Sequence, residues 1–196
     1  MDRDDFAKLL MAEDRKIWQN PDDIIEQIPY LVGSVVADLG CGPGFFSIPL
    51  SRRIGNTGKL YAVDEDLLML RHLKSNLEKA QDKSNMSEVE IVQADVTDVK
   101  LPEKIIDVGF FANILHDLSD KPKFFSEVKR VLKPSGRIVD IDWHKMNTDD
   151  MGPPPEIRLS ENESRRVLRA SGFRVVNALN PGPYHYGFVC KIDSTP

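Results

Sequence analysis

Cysteine is nearly absent from this chain: 196 residues carry two, Cys41 and Cys190, far apart and without the spacing of metal ligands. Neither a disulfide framework nor a bound metal is expected, and a reduced, cytoplasmic setting follows. No apolar run approaches the ~20 residues of a membrane span. The opening MDRDDFAKLL is too acidic, and too short in apolar length, for a signal peptide. A basic stripe is also missing. Lys and Arg number 26 against 31 Asp and Glu, a net charge of −5, and neighbouring cations go no further than pairs such as Arg52-Arg53 and Arg165-Arg166. A nucleic-acid partner is therefore not expected, because neutralising phosphates takes a basic face. Repeats and low-complexity tracts are absent. What remains is an ordinary globular mixture, 41% hydrophobic and 29% charged, long enough to bury one core.

Periodicity along that chain alternates. Asp2 to Ile28 reads as two helical pieces broken at Asn20-Pro21, where asparagine can cap and proline can take the first helical position. Short apolar runs of the buried-strand type follow: Val35–Ala37, Leu60–Val63, Val89–Val92, Ile105–Phe111 and Arg137–Ile141. Between them, Leu70, Leu73, Leu77 and Ala80 form one helical stripe. Phe124, Phe125, Val128, Val131 and Leu132 form another, started by Pro122 and ended by the turn Lys133-Pro134-Ser135-Gly136. The tail MGPPP (Met151 to Pro155) is a stiff loop. Ser160-x-x-Glu163 is a capping box for a helix running to Gly172. Phe173–Leu179 and Tyr184–Ile192, joined by the short NPGP turn, make an antiparallel hairpin, since a parallel pair needs a long crossover. The reading is one α/β domain over residues 1–196, a doubly wound, mostly parallel sheet with one reversed strand near its end.

The stretch VVADLGCGPGFFSIPLS places three glycines between a strand and a helix. Glycines let backbone approach a ligand, and the exposed N–H groups of the next helix favour negative charge. Asp64 ends the following strand, 20 residues after Gly44, where a carboxylate can meet a ribose diol. Asp95 ends the run VEIVQAD, where it can meet an adenine edge. Asp38, Asp64 and Asp95 at three strand ends, with one glycine loop, point to an adenosine ligand. A dinucleotide fingerprint is G-x-G-x-x-G; here the spacing is Gly40-x-Gly42-x-Gly44, and Asp38 stands two residues before it. That acid repels a pyrophosphate and suits the ammonium of an amino-acid moiety, which fits S-adenosylmethionine.

DLGCGPG, AVDED, QADV, FFANILHDL and VLKPSGRIVDIDW, in that order, resemble class I S-adenosylmethionine-dependent methyltransferases, and within them the ubiquinone/menaquinone-biosynthesis type. The likeness runs from about Trp18 to the C-terminus. It implies a Rossmann-like sheet of seven strands, the last antiparallel, with S-adenosylmethionine as cofactor. It further implies that Asp38, Gly40, Gly42 and Gly44 hold the methionine part, Asp64 the ribose, Asp95 and Val96 the adenine, while Asn113 lies beneath the methyl group.

The resemblance leaves the acceptor open. His116, beside Asp117 after the fourth strand, is the candidate base because its ordinary pKa lies near neutrality. Asp142, Trp143 and His144 follow the fifth strand on the same sheet end; Asp107 reads as structural, Phe45 and Phe46 as core, and Cys41 as a small turn residue. Arg158 is a candidate grip for an anionic acceptor, and Glu65 is expected to point away from the crevice. The N-terminal segment 1–33 and the loop from Lys145 to Leu159 are expected to roof the acceptor site, which favours a small molecule. A homodimer, a non-catalytic S-adenosylmethionine-binding subunit and, against the glycine spacing, an NAD-dependent oxidoreductase stay open.

Overall fold

The computed structural model describes residues 2–81, 83–148 and 151–193. Three short helices come first, α1 (Arg3–Leu10), α2 (Arg15–Trp18) and α3 (Pro21–Glu26), one more than periodicity suggests. The break at Asn20 is as expected: its Oδ1 accepts from the Asp22 N–H at 3.1 Å with Pro21 in the first turn. The extra break follows Leu10, whose carbonyl takes a 2.8 Å hydrogen bond from Arg15 Nη1. A long-range side chain thus closes α1 where the local pattern carries no stop signal.

Strands and helices then alternate: β1 (Val35–Leu39), α4 (Ser47–Ile54), β2 (Lys59–Asp64), α5 (Leu67–Lys79), β3 (Glu88–Gln93), β4 (Ile106–Ala112), α6 (Lys121–Val131) and β5 (Leu132–Trp143). The chain ends with α7 (Glu161–Ala170), β6 (Phe173–Leu179) and β7 (His185–Ile192). All seven strands join one sheet in the order β3-β2-β1-β4-β5-β7-β6. Only β7 is reversed, pairing antiparallel with β5 and β6, as the hairpin argument and the resemblance both require. The Ser160 capping box forms in both directions at the start of α7.

The central strands β1, β4, β5 and β7 bury both faces, so alternate residues serve different layers. Val36, Leu60, Val108, Phe110 and Val139 pack under α3 and α4, with α5 covering Ala62 on the same side. Ala37, Phe111, Ile138 and Phe188 pack against the Phe124, Phe125, Val128 and Leu168 faces of α6 and α7. One expected turn is different. Leu132 already pairs with Ile106, so Lys133-Pro134-Ser135-Gly136 is an irregularity inside β5, before pairing resumes at Val108 and Arg137. Asp107 anchors it, accepting from Lys133 Nζ at 2.8 Å and from the Val35 N–H at 3.0 Å, a structural role. β5 also runs two residues past Ile141, so Asp142 and Trp143 are strand residues. Among the described residues, no helix is long and apolar enough to cross a membrane.

Candidate active site

The strand order changes direction between β1 and β4, and at such a point the loops at the carboxyl ends diverge and leave a crevice. The β1–α4 loop forms one wall. The Gly40 and Cys41 N–H groups both donate to the Val63 carbonyl, at 2.8 and 3.0 Å, and the Gly42 N–H donates to Asp64 Oδ2 at 2.8 Å. The loop is therefore laced to the end of β2 before any ligand arrives. Gly40 has φ +74°, and a Cβ there would meet Ile114 Cγ2 at 2.8 Å, so glycine is needed for both conformation and space. Gly44 serves differently. A Cβ on it would strike Leu73 Cδ1 at 2.5 Å, so this glycine lets α5 approach the loop and lines neither hollow described next.

Two adjoining hollows meet along Gly40, Asp64, Glu65, Ile114 and Asp117. One, of about 540 Å³, continues over Asp95, Val96, Thr97 and Lys123. The other, of about 440 Å³, continues over Asp38, Gly42, Phe45, Phe46 and Asn113. The sequence-picked residues thus divide between two halves of one cleft, except Gly44 and His116. Glu65 lies on both walls, contrary to the expectation that strand alternation turns it away. β3 ends at Gln93, so Asp95 lies beyond the strand, in a turn where its Oδ1 accepts from the Thr97 N–H at 2.7 Å.

Electrostatics differ along the cleft. Asp38 is 2% exposed, and burial pushes its carboxyl up to about 7, although Ser47 Oγ donates to it at 2.6 Å. Burial also raises Asp64, against the downward pull of the Asp66 and Gly42 N–H groups it accepts from. Asp95 is held low, chiefly by the Thr97 N–H. Burial raises the Cys41 thiol well above its ordinary value, so no thiolate is available.

His116 stands behind this wall. Its side chain is 3% exposed, with Nδ1 2.7 Å from Asp142 Oδ1 and Nε2 3.3 Å from Asp117 Oδ2. Burial opposes charge on the ring, yet the two carboxylates outweigh it and its pKa rises. Asp142 Oδ2 also accepts the His116 N–H at 3.0 Å, which pins the turn after β4. Of the trio, only Asp117 reaches the cleft.

Arg158 is no grip for an anion. It is 2% exposed, and its five N–H groups go to the Pro153, His144, Met146 and Met151 carbonyls and to Thr148 Oγ1, at 2.7 to 3.2 Å. It fastens the loop after β5, of which Asp149 and Asp150 lie outside the described residues.

Residues that periodicity does not single out come from the N-terminal helices. Arg3, Phe6, Leu10 and Arg15 line the 440 Å³ half. Arg3 reaches Asp66 at 2.5 Å and Asp4 reaches His72 Nε2 at 2.8 Å, so α1 lies across the start of α5. Arg15 stacks 3.8 Å over the Phe45 ring and gives two hydrogen bonds to Gln19 Oε1. Nothing local marks Arg15, which is one of four cations among the first 18 residues; only the expectation that segment 1–33 covers the site pointed to this region.

A protein family described as "Methyltransferase domain" matches residues 37–140. A solved structure titled as a SAM dependent methyltransferase from Aquifex aeolicus is 32% identical, covers 98% of this chain and 99% of its own, and superposes with a TM-score of 0.87. A putative type 11 methyltransferase from Sulfolobus solfataricus is 35% identical, covering 82% of this chain and 85% of its own, with a TM-score of 0.66. Among curated proteins, the 2-phytyl-1,4-naphtoquinone methyltransferase of Trichormus variabilis is 31% identical over 59% of this chain and 49% of its own length. The ubiquinone/menaquinone biosynthesis C-methyltransferase of Marinomonas is 26% identical over 83% of this chain and 61% of its own. The chain spans about half the length of the first of these curated relatives.

Proposed function

Because the chain belongs to the methyltransferase-domain family, we propose that it transfers a methyl group from S-adenosylmethionine to a small-molecule acceptor. The observation that carries this reading is the buried Asp38 under the glycine loop. A pyrophosphate would be repelled there, whereas a carboxyl with so few partners is suited to an ammonium. The rest of the cleft fits the same cofactor. Asp64 has its backbone fixed by β2 and its carboxylate on both walls, which suits a ribose diol, and Asp95 with Val96 suits an adenine edge. Asn113, held at φ +61° past the end of β4, would face the methyl group.

When bound, S-adenosylmethionine supplies an already activated methyl group. The chain's own contribution is position: Phe45, Phe46 and residues of the N-terminal helices give the 440 Å³ half a largely apolar wall. A proton leaving the acceptor would be taken up by His116 only by way of Asp117, because Asp117 is the member of that trio on the cleft. The two curated relatives are named a 2-phytyl-1,4-naphtoquinone methyltransferase and a ubiquinone/menaquinone biosynthesis C-methyltransferase, and a quinone-type ring is the acceptor we favour. Residues 1–196 are read as one domain, with segment 1–33 as part of the cover.

Calorimetry tests the cofactor: S-adenosylmethionine or its demethylated product is expected to bind in the micromolar range, about −8 kcal/mol, and NAD not at all. Equal or tighter binding of NAD would overturn the reading.

A further inference from the structure

Charge is spread unevenly along this chain. Residues 161–192 carry five cations, Arg165, Arg166, Arg169, Arg174 and Lys191, against Glu161 and Glu163, a balance of +3. The remainder, with 21 cations and 29 acids, carries −8. Four of those five cations line one place, a third hollow of about 570 Å³ between α7 and the start of β6. Helical spacing puts them there. Ser164 and Leu168 are the buried residues of α7, and Asn162, Arg165, Arg166 and Arg169, at i, i+3, i+4 and i+7, form the opposite stripe. β6 is the last strand of the sheet, so no further strand closes the outer side of the hollow.

These cations are poorly matched by carboxylates. Arg165 pairs with Glu161 at 2.9 Å and lies 4.1 Å over the Phe188 ring. Glu163, the other acid of α7, is occupied by the Ser160 N–H and hydroxyl of the capping box. Among the described residues, Arg166, Arg169 and Arg174 have no carboxylate within 4.0 Å, whereas Arg3, Lys59, Arg130 and Lys133 each have at least one. Their neighbours are other cations. Arg165 and Arg169 stand one turn apart on α7 and Arg166 and Arg169 three residues apart, and like charges at either spacing repel. Arg174 pairs directly with Lys191 of β7, which pairs with Arg137 of β5, so three cations form a row across the sheet. A bound anion would relieve that repulsion.

We propose that this hollow is a binding site for a soluble anion built of two or more linked phosphoryl groups. A guanidinium fork meets phosphoryl oxygens two at a time. From the helical rise, Arg165 and Arg169 are about 6 Å apart along the axis, and Asn162 and Arg169 about 10 Å. A phosphoryl chain extends along that stripe and meets each guanidinium in turn. A single phosphate would have to draw all three together against their repulsion. A bilayer fits less well, because β6 lies three strands beyond β4 and a membrane docked on this flank would not face the cleft. A nucleic acid needs a longer basic stripe than one hollow, and the rest of the chain is acidic. The proposal is independent of the methyl-transfer reading, since β5 and β7 stand between this hollow and the cleft.

Inorganic tripolyphosphate is the probe, titrated at low ionic strength without divalent metal ions. Calorimetry and the ¹⁵N resonances of the arginine Nε groups are the readouts. The expected result is one saturable event that shifts the resonances of Arg165, Arg166 and Arg169 and weakens as salt is added. Phosphate, and citrate with carboxylates in place of phosphoryl groups, should bind at least about tenfold more weakly. Arg166→Gln with Arg169→Gln, both at exposed helix positions, should lower tripolyphosphate affinity about tenfold or more. Arg166→Lys with Arg169→Lys should fall between, because charge is kept and the fork is lost. Arg52→Gln with Arg53→Gln, an exposed arginine pair on α4, removes the same charge elsewhere and should leave affinity unchanged. Equal loss in that control pair, or citrate binding as tightly as tripolyphosphate, would show diffuse attraction and overturn the site. Full affinity in the Arg166→Gln, Arg169→Gln protein overturns it too. So does capture by phosphatidylglycerol vesicles without any binding of tripolyphosphate, which would make this flank a membrane contact.

Discussion

Asp38 concentrates the chemistry at the scale of single residues. A carboxyl with a pKa pushed up to about 7 is roughly half protonated at neutral pH in the free protein. An ammonium placed beside it favours the ionised form, so cofactor binding should release a proton near pH 7, and affinity should rise from pH 6 to 7.5. Calorimetry in buffers of different ionisation enthalpy reads the proton directly, and Asp38→Asn should abolish both effects. Asp64 makes a second case. A hydrogen bond to a charged group is worth about 1.5–3 kcal/mol, so Asp64→Ala should weaken S-adenosylmethionine binding roughly 10- to 100-fold. Asp64→Asn should cost less, since an amide oxygen still accepts from the ribose or from Gly42 N–H. For His116 the expected outcome is in the pH profile. If Asp117 passes it a proton, His116→Gln lowers turnover by about 10²-fold or more and removes a limb from the rate–pH curve. An unchanged curve would leave His116 the structural pin of the turn after β4.

Elements are held in place here by single side chains that cross between them. Arg15 ends α1, stacks on Phe45 and holds Gln19, so one guanidinium joins α1 and α2 to the glycine loop. Arg158 does the same for the loop after β5, satisfying four carbonyls and a hydroxyl. Removing it strands those acceptors, and Arg158→Ala should destabilise the protein by about 3 kcal/mol. Cofactor affinity should stay within a few-fold, because no wall of the two hollows includes Arg158. Thermal melting and calorimetry on one preparation separate these outcomes; intact stability would show that water replaces the guanidinium freely. The Arg3–Asp66 pair is a weaker tie. Arg3 is 72% exposed, and exposed pairs contribute about 0–1 kcal/mol.

For the whole molecule, two buried carboxyls set a pH dependence. Asp140, fully buried with Ser164 Oγ as its hydrogen-bond donor, is pushed by burial and then by Asp142 up to about 8; Asp38 stands at about 7. Both values are raised, so the folded state keeps protons that the unfolded chain has released. The stability tied to each carboxyl is complete below the ordinary carboxyl range and lost as pH climbs through the folded value. Asp140→Asn keeps an acceptor for Ser164 and removes one ionisation. Its melting temperature should therefore gain on the wild type between about pH 5 and 8, by several degrees. A difference independent of pH would mean that Asp140 is ionised in the fold.

Short-range physics made the sheet legible in the sequence. Apolar runs of strand length, the caps at Asn20 and Ser160, and the NPGP turn are signals spanning a few residues, and each became the element expected. The glycine loop and Asp38, Asp64 and Asp95 were legible for a related reason: in a doubly wound sheet, the end of each parallel strand opens on the same crevice. What needed the tertiary structure was every role assigned by a distant partner. His116 looked like a free base until Asp142, 26 residues on, closed over its Nδ1. Arg158 looked like an open cation until its own loop folded around it, and Gly44 like a ligand contact until Leu73 arrived. Gln19 and Trp18 carry no local pattern, and His185 only the alternation of a strand that sets it opposite Tyr184 and Tyr186. They become a group only because β7 inserts beside β5 and the N-terminal helices fold back over its end. Local propensity fixes which elements form. Which side chains are left with unmet hydrogen bonds depends on contacts 90 residues and more apart in the chain, as between Asn113 and Gln19 with |i−j| of 94.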